Sequence, residues 1–288
     1  MRIGAVLPQT ELGGDVGVVR AWAEGAGELG FAHLLAYDHV VGADPAVHTG
    51  WSGPYDIDTT FHEPLVLFGY LAAVVSVELV TGIIILPQRQ TALVAKQATE
   101  VDLLTRGRFR LGVGLGWNAV EYEALGRDFS DRGRRFGEQI GLLRALWTER
   151  SVTHAGPSEH VTGAGLAPMP VQRPIPVWIG GQSEPAYRRI GRLADGWFPQ
   201  VTPGPRLDAA KAVIDGAAIA AGRDPSGIGM EGRISWGEGG AGRIADHAAR
   251  WERAGASHLS VNTMGAGLAD VDAHLDALAR CADALGLR

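Results

Sequence analysis

One cysteine, Cys281, stands among 288 residues, so an internal disulfide is excluded and no cysteine set exists for zinc or an iron–sulfur cluster. It falls in a helical pattern, where a thiol packs. Long apolar runs are missing as well: none approaches the roughly 18 to 20 residues that span a bilayer. The N-terminus enters a strand pattern without a basic flank or cleavage site, so a cytoplasmic protein with no membrane partner is expected. Basic runs are absent and the formal charge is -6, which gives no general attraction to nucleic acid; any anionic ligand must be gripped locally. There is no G-x-S-x-G elbow, no G-x-x-x-x-G-K-[ST] loop and no H-E-x-x-H helix, which removes the common hydrolase, nucleotide-hydrolase and zinc-protease chemistries. No metal site is expected: His62-Glu63-Pro64 is too compact and starts a helix, and His154, Glu159 and His160 read as solvated loop residues. Residue-level repeats and low-complexity tracts are lacking too.

What is present is alternation. Arg2 to Leu7 is a short apolar run, followed after a cap at Asp15 by Val19, Trp22, Ala23, Ala26 and Leu29 at helical spacing. Phe31 to Tyr37 repeats the strand signal, Gly42 to Asp58 reads as a long loop, and Pro64 opens a helix reaching about Ser76. Leu79 to Leu86 is a nearly continuous aliphatic run, as in a strand covered on both faces, and Pro87 stops it. A helix through Val94, Ala98, Val101 and Leu104, a strand from Phe109 to Gly116 and a helix through Phe136, Ile140, Leu143 and Trp147 follow. Ser151 to Pro174 is a polar excursion rich in Gly and Pro. The pattern then resumes: strands at Pro176 to Ile179, Gly196 to Phe198, Met230 to Trp236 and His258 to Val261 alternate with helices at Pro185 to Leu193, Leu207 to Ala221, Ile244 to Ala254 and Val271 to Leu285. Eight strand-helix units predict an α/β fold of one domain over 1–288, a single (β/α)8 TIM barrel with insertion loops.

In such a barrel the chemistry lies at the C-terminal ends of the strands. Asp38 and His39 follow the second strand, and alternation sends one toward the barrel axis and the other outward. His39 could donate to or accept from a ring held there; the competing reading has Asp38 capping or pairing and His39 lining the loop. Gly112-Val113-Gly114-Leu115-Gly116 lacks the helix start of a dinucleotide fingerprint; its glycines either admit a flat ring or relieve crowding inside the barrel. Gly180-Gly181-Gln182-Ser183 joins a strand to a helix, where main-chain N–H groups can hold a phosphate; the alternative is an ordinary tight turn. Trp117, Asn118 and Glu121 follow the fourth strand, and Asp102 and Arg108 flank a turn where they could pair.

Tyr37-Asp38-His39, the segment Thr81 to Gln90, Ala95-Lys96-Gln97 and the stretch Asp102 to Gly116 together resemble luciferase-like monooxygenases, and most closely their actinobacterial branch that uses coenzyme F420. Trp117-Asn118, Glu121-Tyr122, Pro170 to Pro174, Trp178 to Gly181 and Asp195-Gly196-Trp197 extend the likeness to about two-thirds of the chain. The resemblance implies a (β/α)8 barrel with a deazaflavin or isoalloxazine ring in its mouth, His39 near the reactive edge and Asp38 beside it. It also implies a non-prolyl cis peptide at Ile83-Ile84 behind the ring. Gly114, Gly116, Trp117 and Asn118 would line the ring and Gly180, Gly181, Gln182 and Ser183 the phosphate. F420-dependent sugar-phosphate dehydrogenases carry an acid where this chain has Trp117, so that reaction is not expected, and Glu121 is the nearby substitute acid. The implied activity is hydride transfer between F420 and a small organic substrate. The rivals are an FMN-dependent monooxygenase and a catalytically silent flavin-binding barrel. Barrels of this superfamily often pair through helices, so a homodimer is a further expectation.

Overall fold

The computed structural model describes residues 1–238 and 240–287. Eight parallel strands close on themselves: β1 (Arg2–Val6), β2 (His33–Ala36), β3 (Glu78–Thr81), β5 (Phe109–Gly114), β8 (Val177–Gly181), β9 (Gly196–Pro199), β10 (Gly229–Ser235) and β11 (His258–Asn262). Pairing of β1 with β11, and of β3 with β5, completes the ring. The two-residue strand β4 (Ile84–Ile85) adds to the upper half of β5, opposite Val113 and Gly114. The outer layer is α2 (Val16–Glu28), α3 (Pro64–Leu71), α4 (Thr91–Leu104), α6 (Arg132–Thr148), α7 (Glu184–Leu193), α8 (Pro205–Ala220), α9 (Ala241–Arg253) and α10 (Val271–Leu285); α1 (Gln9–Leu12) and α5 (Ala119–Ala124) are short turns on the strand-end loops. The fold is therefore the (β/α)8 barrel that the alternation predicts. Among the described residues no helix is long and apolar enough to cross a membrane.

Two expected starts are met by their side chains. Asp15 accepts from Gly17 N–H at 2.8 Å to open α2, and Glu63 accepts from Val66 N–H at 2.7 Å to open α3, with Pro64 in the first turn. Cys281 is buried in α10, and burial pushes its thiol up to about 12, which leaves it an inert packing group.

Three expectations change. The excursion from Ser151 to Pro174 contains an antiparallel hairpin, β6 (Val152–Ala155) with β7 (His160–Ala164). It is anchored by Glu138 of α6, whose carboxylate takes His154 Nε2 at 3.0 Å and the Ser158 and Glu159 N–H groups. The aliphatic run Leu79 to Leu86 is not one strand but breaks at Gly82-Ile83 between β3 and β4. Asp102 does not pair with Arg108; it is fully buried and takes the Val171 and Gln172 N–H groups at 2.6 and 3.0 Å and Gln172 Nε2 at 2.7 Å. A carboxylate out of water needs several donors at once, and the chain returning to β8 supplies them.

Side chains inside the barrel stack in three layers. At the N-terminal ends lies a charged floor: buried Arg110 reaches Glu78 at 3.0 Å and Glu231 at 2.8 Å, and Glu231 also takes His33 at 2.9 Å and the Ser260 hydroxyl. Burial opposes ionisation of Glu231, but His33 and Arg110 outweigh it and hold its carboxyl far below the usual range. Above the floor Val6, Leu35, Val80, Trp178 and Phe198 form an apolar plug. The third layer is open, and the functional candidates converge there.

Candidate active site

A cavity of about 510 Å³ opens at the C-terminal ends of the strands, within the range of small-molecule sites. One wall is glycine. A Cβ on Gly114 would come within 2.4 Å of the Ile83 side chain, and one on Gly180 within 3.3 Å, so both positions keep a flat space where Ile83 projects from the break between β3 and β4. Gly112 is different: a Cβ there would lie 1.8 Å from the Thr81 carbonyl oxygen, so its bareness serves the contact of two strands. Relief of crowding thus accounts for Gly112, while Gly114 lets the Ile83 side chain lie against bare backbone in the cavity wall. Gly116, at φ 67°, turns the chain out of the strand end toward Trp117, which stands 43% exposed at the lip.

His39 faces this wall from the loop after β2, packed edge-on against Tyr55 and Trp117 with ring centroids 5.1 and 5.7 Å away. Its Nδ1 is buried, 3.3 Å from Glu121 Oε1, which leaves Nε2 for the cavity. Glu121 is positioned by α5. Asn118 accepts from the Val120 and Glu121 N–H groups at 3.1 and 3.3 Å as the helix cap, which places Glu121 one turn in and aims it back under the His39 loop. There it takes Val40 N–H at 2.5 Å, Val41 N–H at 3.3 Å and Gln88 Nε2 at 2.9 Å. Burial alone would raise its pKa, but hydrogen bonds from His39, Gln88 and Val40 hold it below the usual carboxylate range. Glu121 is therefore an ionised acceptor that orients His39, and the expectation of a substitute acid gives way to that geometry.

Asp38 also borders the cavity, with its carboxylate directed into a buried network: Arg89 at 2.8 Å and Ile85 N–H at 3.1 Å. Arg89 continues to Glu63 at 2.7 Å, so one guanidinium joins the loop after β2 to the N-cap of α3, and Asp38 carries the tie on to Ile85 at the end of β4. The peptide bond Ile83-Ile84 is trans; among the described residues the cis bonds are Ala167-Pro168 and Arg173-Pro174. The offset behind the cavity is made instead by Gly82, where a Cβ would come within 2.1 Å of Leu35, and by the Asp38 bond to Ile85 N–H. Ile83 lines the cavity, whereas Ile84 is packed in the core between barrel and helices.

Gly180, Gly181, Gln182 and Ser183 line the cavity where β8 meets α7, and Ser183 makes no side-chain cap to the helix. Sequence reasoning missed the residue beside them. Arg189 of α7 is half-buried against Phe136, donates to the Gly133 carbonyl at 3.0 Å, and among the described residues has no carboxylate within ion-pairing reach. Burial, with Arg192 nearby, pulls its pKa below the ordinary value, so an anion at this helix start would relieve it. Nothing in helical periodicity distinguishes Arg189 from the Arg188 beside it; only packing of α6 on α7 turns it inward. Arg233 was missed as well, although a charged side chain in the alternating strand from Met230 to Trp236 was a readable signal. Among the described residues no group of histidines, cysteines and carboxylates could hold a metal.

The profile of the luciferase-like monooxygenase family matches residues 1–267. An uncharacterized protein of Mycobacterium tuberculosis is 40% identical over 113 residues, 39% of this chain and 38% of that relative's length. An FMNH2-dependent dimethylsulfone monooxygenase of Pseudomonas fluorescens is 32% identical over 157 residues, 54% of this chain and 42% of the relative. Among solved structures, an F420-dependent secondary alcohol dehydrogenase in complex with an F420-acetone adduct superposes with a TM-score of 0.81 at 17% identity, covering 99% of this chain and 98% of the other. At that identity the likeness concerns the fold.

Proposed function

The chain belongs to the luciferase-like monooxygenase family, and from that premise we propose that it transfers a hydride between the deazaflavin coenzyme F420 and a small organic substrate. The observation that carries this reading is one cavity with three complementary parts: a glycine-cleared wall, His39 across from it, and an anion seat at its end. The residues present fit a tricyclic ring with a phosphate tail. Gly114 and Gly180 let the Ile83 side chain lie flat against bare backbone on that wall, and the Asn118 Nδ2 is a buried donor in the cavity wall without a partner among the described residues. Gly180 to Ser183 and Arg189 offer main-chain N–H groups and a cation for the phosphate. The similar fold of the F420-dependent alcohol dehydrogenase supports the choice of coenzyme.

When bound, the deazaflavin supplies a carbon that gives or takes a hydride. The chain supplies the rest. Glu121 accepts the Nδ1 proton of His39, which fixes the tautomer and presents Nε2 to move a proton at the substrate heteroatom. The aromatic rings of Tyr55, Phe61 and Trp117 around His39 exclude water from that transfer. A second reading, FMN-dependent oxygenation, is favoured by the 32% identity to the dimethylsulfone monooxygenase.

Fluorescence titration of the cofactor-free chain with F420 and with FMN separates the two. F420 is expected to bind the more tightly, and reduced F420 to be oxidised by a panel of ketones, enones and imines. Substituting His39 by Ala is expected to abolish that turnover with weakened but measurable binding. Tight FMN binding with oxygen-dependent turnover would transfer the assignment to the second reading. Binding of either coenzyme with no turnover on any substrate would reduce the chain to a silent binder.

A further inference from the structure

We propose that the substrate is an uncharged, planar, conjugated organic molecule whose flat body lies against Trp117 in a second compartment beside the ring cavity. The proposal rests on the reading that the coenzyme ring occupies that neighbouring cavity. The compartment, about 630 Å³, is bounded by the loop from Val47 to Pro54 and by the start of α5. Pro54 and Trp117 line both spaces, so one molecule can span the lip, its reducible end in the first and the rest of its body in the second. His39, packed against the same indole with ring centroids 5.7 Å apart, stands at the join.

Two indoles meet here, and the fold holds both. Gly116, at φ 67°, turns the chain so that Trp117 leaves the strand end at the lip, where it stays 43% exposed. Trp51 donates from Nε1 to the Tyr55 carbonyl at 3.1 Å, and its ring tilts at 43° to that of Trp117 with centroids 5.6 Å apart. Gly53 permits this packing, since a Cβ there would come within 2.6 Å of both indoles. An indole already held in place gives up little freedom when a flat molecule covers its open face, and an aromatic pair is worth more than its buried area alone. Charge points to the same class of substrate. No Asp, Glu, Lys or Arg stands among the described residues that line the compartment. In the ring cavity the charges are already engaged: Asp38 with Arg89, Glu121 with the Val40 and Gln88 N–H groups, and Arg233 with Tyr37, while Arg189 stands by the phosphate loop. An ionic substrate would leave water there without a counterion, a cost that a neutral one avoids.

Benzylideneacetone and its cyclohexyl counterpart carry the same enone and differ in the flatness of the ring beside it. Reduction of either places a hydride from the reduced coenzyme on the β-carbon and a proton on the carbonyl oxygen, and the enol so formed becomes the saturated ketone as the coenzyme is left oxidised. Both compounds are titrated calorimetrically into the protein with and without F420, and kcat/KM is measured for both with reduced F420. Wild type is expected to favour the phenyl compound by about 2- to 10-fold, the worth of one aromatic pair. Trp117→Leu is expected to erase that preference and Trp117→Phe to keep part of it; taken as a ratio of two enones, it is insensitive to slower proton transfer at His39. Gly53→Ala, which pushes both indoles aside, is expected to lower the preference in the same direction and decides the matter should Trp117→Leu fail to fold. A para-carboxamide on the phenyl ring is expected to bind several-fold more tightly than a para-carboxylate. Equal affinity for the phenyl and cyclohexyl compounds, no binding of either, a preference that survives Trp117→Leu, or tighter binding of the carboxylate overturns the proposal. Failure of F420 to bind would sink the ring reading by itself, while the phenyl preference of the cofactor-free protein still decides the role of Trp117.

Discussion

Replacing Glu121 by Ala tests the buried carboxylate that orients His39. The side chain is 1% exposed and accepts from the Val40 and Gln88 N–H groups at 2.5 and 2.9 Å, with Val41 N–H and His39 Nδ1 each at 3.3 Å. Two firm donors are stranded by its loss, and each buried unsatisfied donor costs about 1–3 kcal/mol. Because the site borders an open cavity, water entering the vacated volume recovers part of this, and about 2–4 kcal/mol of destabilisation is expected. With an unfolding entropy of about 0.6 kcal/mol/K for a chain of 288 residues, that corresponds to a melting temperature lower by roughly 3–7 °C. Glu121→Gln should cost only about 1 kcal/mol, since its remaining oxygen still serves Val40 and its new NH2 can be met by the Gln88 Oε1, a buried atom with no partner among the described residues. Urea denaturation gives the two energies, and ¹⁵N–¹H spectra of the His39 ring give its tautomer, a single Nδ1–H form in wild type and a mixture in Glu121→Ala. An Ala variant within about 0.5 kcal/mol of wild type, or one no worse than Gln, would refute the reasoning.

Other outcomes follow from the same geometry. Gly112→Ala should unfold the protein or lower its melting temperature sharply, because a Cβ would lie 1.8 Å from the Thr81 carbonyl, whereas Gly114→Ala should fold and lose coenzyme binding by displacing Ile83 into the cavity; thermal melts and titrations read the contrast. Burial and then Arg110 push His258 down to about 3, so between pH 6.5 and 3 the unfolded chain binds a proton that the folded chain refuses, and stability falls as pH falls through that window. The depressed pKa of Glu231 adds to the loss below its unfolded value of about 4.5; His258→Phe should flatten the urea-midpoint profile from pH 6.5 to 4.5. Arg189→Gln should weaken coenzyme binding about 10- to 100-fold with no loss of stability, measured by fluorescence titration and melting.

The barrel was legible because its strands are buried on both faces and read as apolar runs, with polar residues gathered at their ends. Register was not. Hydropathy sees Leu79 to Leu86 as continuous, but Gly82 against Leu35 and Asp38 on Ile85 N–H divide it, and these contacts come from β2 and the loop after it, each 47 residues away in sequence. Composition located the glycine string yet could not say which glycine meets backbone and which meets an isoleucine side chain. Glu121 was visible only as a nearby acid, since its role depends on main-chain N–H groups of Val40 and Val41 that no side-chain pattern encodes. The hairpin of β6 and β7 hid in a polar stretch because its anchor, Glu138, lies on a different element.

The ionic network of Arg110, Glu78, Glu231 and His33, capped by Trp178 and Phe198, gives the barrel a sealed base. A vessel closed below admits and releases whatever it binds through its rim alone. Fold maintenance and ligand choice are thereby assigned to separate storeys, and new specificities can evolve at the rim without disturbing the foundations.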